Sequence, residues 1–142
     1  VLFRAMPAIS AFLDRRFKLM VRDYMVREYH IRRIGKWIGA VEKEQTDIDV
    51  AAEAYDDRDS TVILVFECKF AKTPMGFSAL NRLESAVKAA GCTHDKRLAL
   101  TSGSGFSKEL EEWTEDRGEP WLVGLEKIFG LESPNELWPD KK

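Results

Sequence analysis

The feature that most constrains the fold is an unbroken run, Thr61-Val62-Ile63-Leu64-Val65-Phe66, that ends in Glu67-Cys68-Lys69. Six β-branched or large apolar residues without alternation predict a strand that is covered on both faces, at the centre of an α/β sheet. Buried charges are costly, so a strand that admits an acid and a base at its end has either reached a cleft or carries an expensive buried pair. Clefts at strand ends are where open α/β sheets bind ligands.

The patterns around this strand predict the order helix, three strands, helix, strand, helix, strand. Apolar residues at three- and four-residue steps predict the helices, and Gly, Pro and Ser mark their ends. In chain order the predicted elements are a helix over 7–29, a strand through 41, a strand over 47–55, the central strand over 61–70, a helix over 77–90, a strand over 97–101, a helix N-capped by Ser107 and a strand over 121–125. The sequence therefore predicts a mixed α/β sheet flanked by helices.

Two acids and a lysine fall on the two neighbouring strands at the centre of this order. Side chains alternate along a strand, so Glu67 and Lys69 share a face, and Asp47 is expected to share the face of Asp49. Carboxylates that converge at a sheet edge can hold a divalent cation and an attacking water. Taken alone, an acid and a base two residues apart are more typical of a solvated strand face. The buried run that precedes Glu67 favours a site.

The first third of the chain is basic, although the net charge is −2. Residues 1–46 carry ten Lys or Arg against five Asp or Glu, whereas residues 47–142 carry twelve against nineteen. Arg22 and Lys36 could meet phosphates, and Trp37 could stack on a base. A solvated helix face is the commoner explanation for such a basic run, and core packing is the commoner explanation for the tryptophan. Charge alone therefore leaves DNA binding open.

Length and composition favour a single domain of an ordinary globular protein. The 142 residues, 44% of them hydrophobic, suffice for one core, expected over about 10–125 with a tail over 126–142. The sequence contains neither a membrane span nor a signal-peptide pattern, so we expect a cytoplasmic protein. Cys68 and Cys92 are expected to be free thiols. The apolar start at Val1 leads us to expect a fragment of a longer polypeptide.

The chain resembles the PD-(D/E)xK nuclease superfamily, in its restriction-endonuclease-like αβββαβ core and in the positions of Asp49, Glu67 and Lys69. More closely it resembles the C-terminal domain of unknown function of archaeal and bacterial AAA-type ATPases. The segments that carry this likeness are Gly35-Lys36-Trp37, Asp47-Ile48-Asp49-Val50, Phe66-Glu67-Cys68-Lys69-Phe70 and Ser102-Gly103-Ser104-Gly105-Phe106.

The resemblance implies Mg²⁺ or Mn²⁺ held by Asp49, Glu67 and the main-chain carbonyl of Cys68. It implies that Lys69 lies beside the attacking water, and it makes Asp47 an outer acceptor or further ligand. The implied partners are DNA and an N-terminal ATPase domain of the same polypeptide.

The first helix departs from the family pattern. Where the ATPase-linked domains resemble Phe-Glu, this chain has Phe17-Lys18, and a lysine cannot ligate a cation. Either Asp14 or Asp23 substitutes for the missing acid, or the site uses Asp49 and Glu67 alone, or it has lost activity. Two functions are therefore expected. One is a metal-dependent DNA phosphodiesterase domain appended to an ATPase. The alternative is a catalytically degenerate module that binds nucleic acid, regulates the ATPase or forms homo-oligomers.

Overall fold

The structure, a computed structural model, describes residues 2–41, 44–56, 58 and 60–137, with side chains described outside 2–10, 38–41 and 44–46. Its elements are α1 (Leu2–Glu28), β1 (Ile31–Val41), β2 (Glu44–Tyr55), β3 (Thr61–Lys69), α2 (Phe77–Ala90), β4 (Lys96–Ser102), α3 (Lys108–Glu115), β5 (Trp121–Val123) and α4 (Leu125–Ile128).

The five strands form one mixed sheet in the order β1-β2-β3-β4-β5. The hairpin β1–β2 and the neighbouring pair β2–β3 are antiparallel, whereas β3–β4 and β4–β5 are parallel. The predicted central strand, β3, is indeed in the middle. The predicted α/β class, with a mixed sheet flanked by helices, is confirmed.

Helices cover both faces of the sheet, and β3 contributes side chains to both layers of the core. Leu64 and Phe66 belong to the cluster that contains Phe17 of α1 and Ile128 of α4. Val65 belongs to the opposite cluster, which is built mainly from α2 and α3. Coverage on both faces is what the unbroken apolar run predicted.

The predicted element bounds differ from the structure mainly at the two ends of the chain. Helix α1 begins at Leu2, ahead of Pro7, and the predicted last strand stops at Val123. Gly124 is extended, and a short helix follows it with Glu126 in its first turn, where an acid suits the helix dipole. The chain then returns to the domain at Leu137, whose carbonyl accepts a hydrogen bond from Arg97 Nε at 2.9 Å.

Among the described residues, no helix is long and apolar enough to cross a membrane. Trp138, which the sequence pairs with Leu137 as a contact for the tail, lies outside the described residues.

Truncating the fully buried Leu83 in α2 should destabilise the domain. Leu83→Ala removes apolar contacts and leaves a cavity between α2 and the sheet, so we expect a loss of about 2 to 5 kcal/mol in unfolding free energy. Urea denaturation measures this loss. The matched control is Glu84→Ala, at the exposed neighbouring position, which should change stability by less than about 0.5 kcal/mol. Equal effects of the two variants would contradict the packing described for α2.

Candidate functional site

Strands β2 and β3 separate towards the carboxyl end of β3 and create a fork in the sheet. Their pairing runs from Tyr55–Thr61 to Val50–Phe66 and, in the described part of the chain, goes no further. On its other side β3 stays paired with β4 as far as Lys69–Ser102. The last residues of β3 therefore have a neighbouring strand on one edge only.

Two carboxylates accept the backbone N–H groups on the edge of β3 that β2 has left. The Cys68 N–H donates to Asp49 Oδ2 at 2.8 Å, and the Phe70 N–H donates to Asp14 Oδ1 at 3.3 Å. Asp49 comes from β2, and Asp14 comes from α1. Backbone N–H groups need a partner when a ladder stops, so these acids complete the edge of the strand.

The ammonium of Lys18 bridges the second oxygens of the same two carboxylates. Its Nζ lies 3.3 Å from Asp49 Oδ1 and 3.2 Å from Asp14 Oδ2. The Asp49 side chain is only 5% exposed, so this ion pair is largely shielded from water on one side. Burial acts against the charged ammonium, but the Asp49 and Asp14 carboxylates outweigh it and raise the pKa of Lys18.

Glu67 is buried beside Asp49, with 9% of its surface exposed. Burial raises the pKa of Glu67 to about 8, and the neighbouring Asp49 carboxylate, to which Glu67 is hydrogen-bonded, acts in the same direction. Arg82 of α2 acts in the opposite direction, though more weakly. Burial and the Asp49 carboxylate therefore both favour the protonated form of Glu67.

Lys69 ends β3 and is exposed, two residues after the buried Glu67. It lines a pocket of about 160 Å³ with Arg82 of α2 and with Ser102, which is 2% exposed. Two cations and a hydroxyl in this pocket, at the carboxyl end of β3, suit an anionic ligand.

The loop after β4 packs closely against the end of β3. The Gly103 N–H donates to the Lys69 carbonyl at 3.1 Å. A Cβ at position 103 would lie 2.3 Å from the Phe70 ring, so a glycine is needed there. The Ser102–Gly105 turn predicted from the sequence thus helps to position Lys69.

Asp47 and Asp49 have different ion-pair partners, although both carboxylates act to raise the pKa of Glu67. The β1–β2 register shifts between Gly35 and Trp37, and Ile48 and Val50 pack into opposite core clusters. The strict alternation that would put both acids on one face is therefore interrupted. Asp47 pairs with Lys36 Nζ at 3.2 Å, while Asp49 pairs with Lys18.

The candidates for nucleic-acid contact lie on α1 and β1. Lys36 has about half of its side chain exposed, Arg22 is half-buried, and Trp37 packs at the edge of the α2-side cluster. Of the acids weighed as substitutes on α1, Asp14 reaches Lys18 and Asp23 is exposed.

The donors at the fork fit a small hard cation with few protein ligands. Among the described residues, no group of three or more Asp, Glu, His or Cys side chains converges on one point. Two adjacent carboxylates remain, those of Asp49 and Glu67, and Mg²⁺ commonly uses one or two carboxylates with waters and substrate phosphate. A bound cation would also favour the ionised form of a buried carboxyl that lies beside another carboxylate.

Sequence reasoning did not single out Arg82, and it treated Asp14 only as a substitute ligand. Asp14 and Lys18 are four residues apart on a helix, a spacing that signals an ion pair. Arg82 lies on the exposed stripe of an amphipathic helix, where nothing distinguishes it from any other solvated residue. Its proximity to Glu67 comes from the packing of α2 on the sheet.

Comparisons with solved structures support the fold. The chain is similar to a crystallised protein of unknown function, AF1548, with a TM-score of 0.51, 19% identity, and coverage of 78% of this chain and 57% of that one. It is also similar to the MspJI restriction endonuclease, solved with a 27-mer oligonucleotide, with a TM-score of 0.53, 11% identity, and coverage of 88% and 29%. No family model and no curated protein matches the chain.

The domain therefore has a restriction-endonuclease-like fold. The chain spans just over half of AF1548 and less than a third of MspJI, 57% and 29% respectively.

The buried carboxyl of Glu67 should make stability depend on pH. Its pKa rises from about 4.5 to about 8 on folding, so the folded protein retains a proton that the unfolded chain loses. Stability is then greatest below pH 4.5 as far as this group is concerned, and it falls as the pH rises towards 8. Glu67→Gln, which cannot ionise, should remove this fall, which a shift of that size makes roughly 4 kcal/mol between pH 5 and 8.5.

Chemical denaturation of the metal-free protein from pH 5 to 8.5 measures the effect, with Glu84→Gln as an exposed control. A wild-type curve that stays parallel to that of Glu67→Gln throughout this range would show that Glu67 is ionised in the folded protein.

Proposed function

We propose that the domain is a metal-dependent phosphodiesterase that acts on DNA. The observation that carries the proposal is the buried carboxylate pair of Asp49 and Glu67 at the fork, with Lys69 beside it. The restriction-endonuclease-like fold supports this reading, because MspJI, an endonuclease, shares it.

Asp49, Glu67 and the main-chain carbonyl of Cys68 would hold Mg²⁺ or Mn²⁺, with Asp47 as an outer acceptor. When bound, such an ion lowers the pKa of a water and neutralises charge on the phosphate. Lys69 would orient the nucleophile and stabilise the negative charge of the transition state. Arg82 and Ser102, which share a pocket with Lys69, would hold a phosphate oxygen.

The DNA would approach along the basic first third of the chain. Arg22 and Lys36 lie on α1 and β1 and offer positive charge to phosphates. The role proposed for Trp37 is smaller, since its ring packs at the edge of the core. Such contacts position a backbone without reading its sequence.

One observation favours a second candidate, a module that binds DNA without cutting it. Lys18 already pairs with Asp49 at 3.3 Å, as a tethered cation would in a site that no longer takes a metal ion. In this reading the fork is scaffold, and the basic surface of α1 and β1 carries the function.

The proposed context is an ATPase. Support for it comes from the sequence likeness to C-terminal domains of AAA-type ATPases, in which such a module would act on DNA that the motor moves. We extend this proposal to a homo-oligomer, which the ATPase portion of the polypeptide would form. Co-purification of the domain with the ATPase portion of its own polypeptide, expressed separately, tests this context, and failure to co-purify would argue against a docked arrangement.

Cleavage assays test the enzymatic proposal. With Mg²⁺ or Mn²⁺, the wild-type domain should cleave one or more of linear, branched and single-stranded DNA. Lys69→Ala should lower the rate by about 10²- to 10³-fold, because it removes one charge from the transition state. Asp49→Asn, which keeps an oxygen for the Cys68 N–H, should abolish cleavage.

The control is Lys88→Ala, which removes an exposed positive charge near the far end of α2. It should leave the rate within about twofold of wild type. Absence of cleavage by the wild type, combined with salt-sensitive retention of DNA, would favour the binding module instead. Equal rates for wild type and Lys69→Ala would also contradict the proposed role of Lys69.

A further inference from the structure

The ammonium of Lys18, which bridges Asp14 and Asp49, is a cation that the chain itself places at the site. Each of the two carboxylates uses one oxygen for a backbone N–H of the β3 edge, Asp49 for Cys68 and Asp14 for Phe70. The oxygens left over, Asp49 Oδ1 and Asp14 Oδ2, both face the ammonium of Lys18.

A divalent ion that binds Asp49 through this remaining oxygen meets Lys18 there. An ammonium 3.3 Å from Asp49 Oδ1 repels a second cation at the same oxygen. Because Lys18 is attached to α1, it competes at a high effective concentration, with no loss of translational freedom. The helix is fixed at this point by the buried neighbours Phe17 and Val21.

Asp14 gives the displaced ammonium another partner. Lys18 Nζ already lies 3.2 Å from Asp14 Oδ2, so it can leave Asp49 without becoming unpaired. The Asp14 side chain is 34% exposed, and the Lys18 side chain 31%, which leaves water access for this movement. This geometry allows Lys18 to release Asp49 while it keeps its contact with Asp14.

We infer that Lys18 sets the metal affinity of the site, by competing with a divalent cation for Asp49 and retreating to Asp14 when the cation binds. This inference rests on the proposed function, because it takes Asp49 as a metal ligand. It assigns opposite effects to the two residues of one ion pair: Lys18 weakens metal binding, and Asp14 strengthens it by drawing Lys18 away.

The test is a set of Mn²⁺ titrations of the purified protein, followed by the electron paramagnetic resonance signal of free Mn²⁺. Lys18→Met should tighten Mn²⁺ binding by about tenfold or more, and Asp14→Asn should weaken it by about fivefold. In the double variant, Asp14→Asn should have almost no further effect, since its action passes through Lys18.

Three controls make the outcomes separable. Asp49→Asn should abolish Mn²⁺ binding in both the wild-type and the Lys18→Met background. Lys88→Met removes an exposed charge roughly 18 Å along α2 from Gly76 and should leave the affinity within about twofold. Thermal melting checks that each variant is folded, which matters for Asp14 because it also accepts the Phe70 N–H.

The results distinguish this inference from the proposed function. Equal Mn²⁺ affinities of wild type and Lys18→Met, both lost with Asp49→Asn, would overturn the role of Lys18 and leave the metal site standing. No Mn²⁺ binding by any variant at millimolar concentration would overturn both. Binding by Lys18→Met but not by the wild type would support the inference in its strongest form, with Lys18 closing the site.

Discussion

Where β2 leaves β3, the Cys68 N–H donates to the Asp49 carboxylate at 2.8 Å. An antiparallel ladder that stops inside a domain leaves such groups to be satisfied in another way, and here an acidic side chain does so. This hydrogen bond holds Asp49 next to the buried Glu67 and within 3.3 Å of Lys18. The fork in the sheet thus concentrates negative charge at the end of its central strand.

Two positively charged side chains approach these acids from opposite faces of the sheet. Lys18 approaches from α1 and pairs with Asp49, whereas Arg82 approaches from α2 and opposes the rise in the pKa of Glu67. Burial and the Asp49 carboxylate nevertheless raise the pKa of Glu67 and favour its protonated form. A divalent ion bound at this site would replace the proton of Glu67 and the ammonium of Lys18. This exchange is the chemical basis of the proposed function.

Much of the fold could be predicted because β3 is covered on both faces, and its apolar run shows this without alternation. The site could be predicted only in part. A bulge places Ile48 and Val50 in opposite core clusters, so the spacing of Asp47 and Asp49 does not by itself predict how the two acids lie relative to each other. The bridge from Lys18 to Asp49 depends on how α1 packs through Phe17, a tertiary contact that no local pattern in the sequence encodes. The short helix α4 was missed because a buried Trp121–Val123 run leads directly into it.

If the fork binds a divalent cation and Lys18 moves aside for it, a crystal structure of the protein with Mn²⁺, with anomalous data collected, should show both. We expect an anomalous peak between Asp49 and Glu67, with Lys18 Nζ paired to Asp14 and moved away from Asp49. This expectation would be contradicted by a fork without a peak, in which Lys18 remains about 3.3 Å from Asp49 Oδ1.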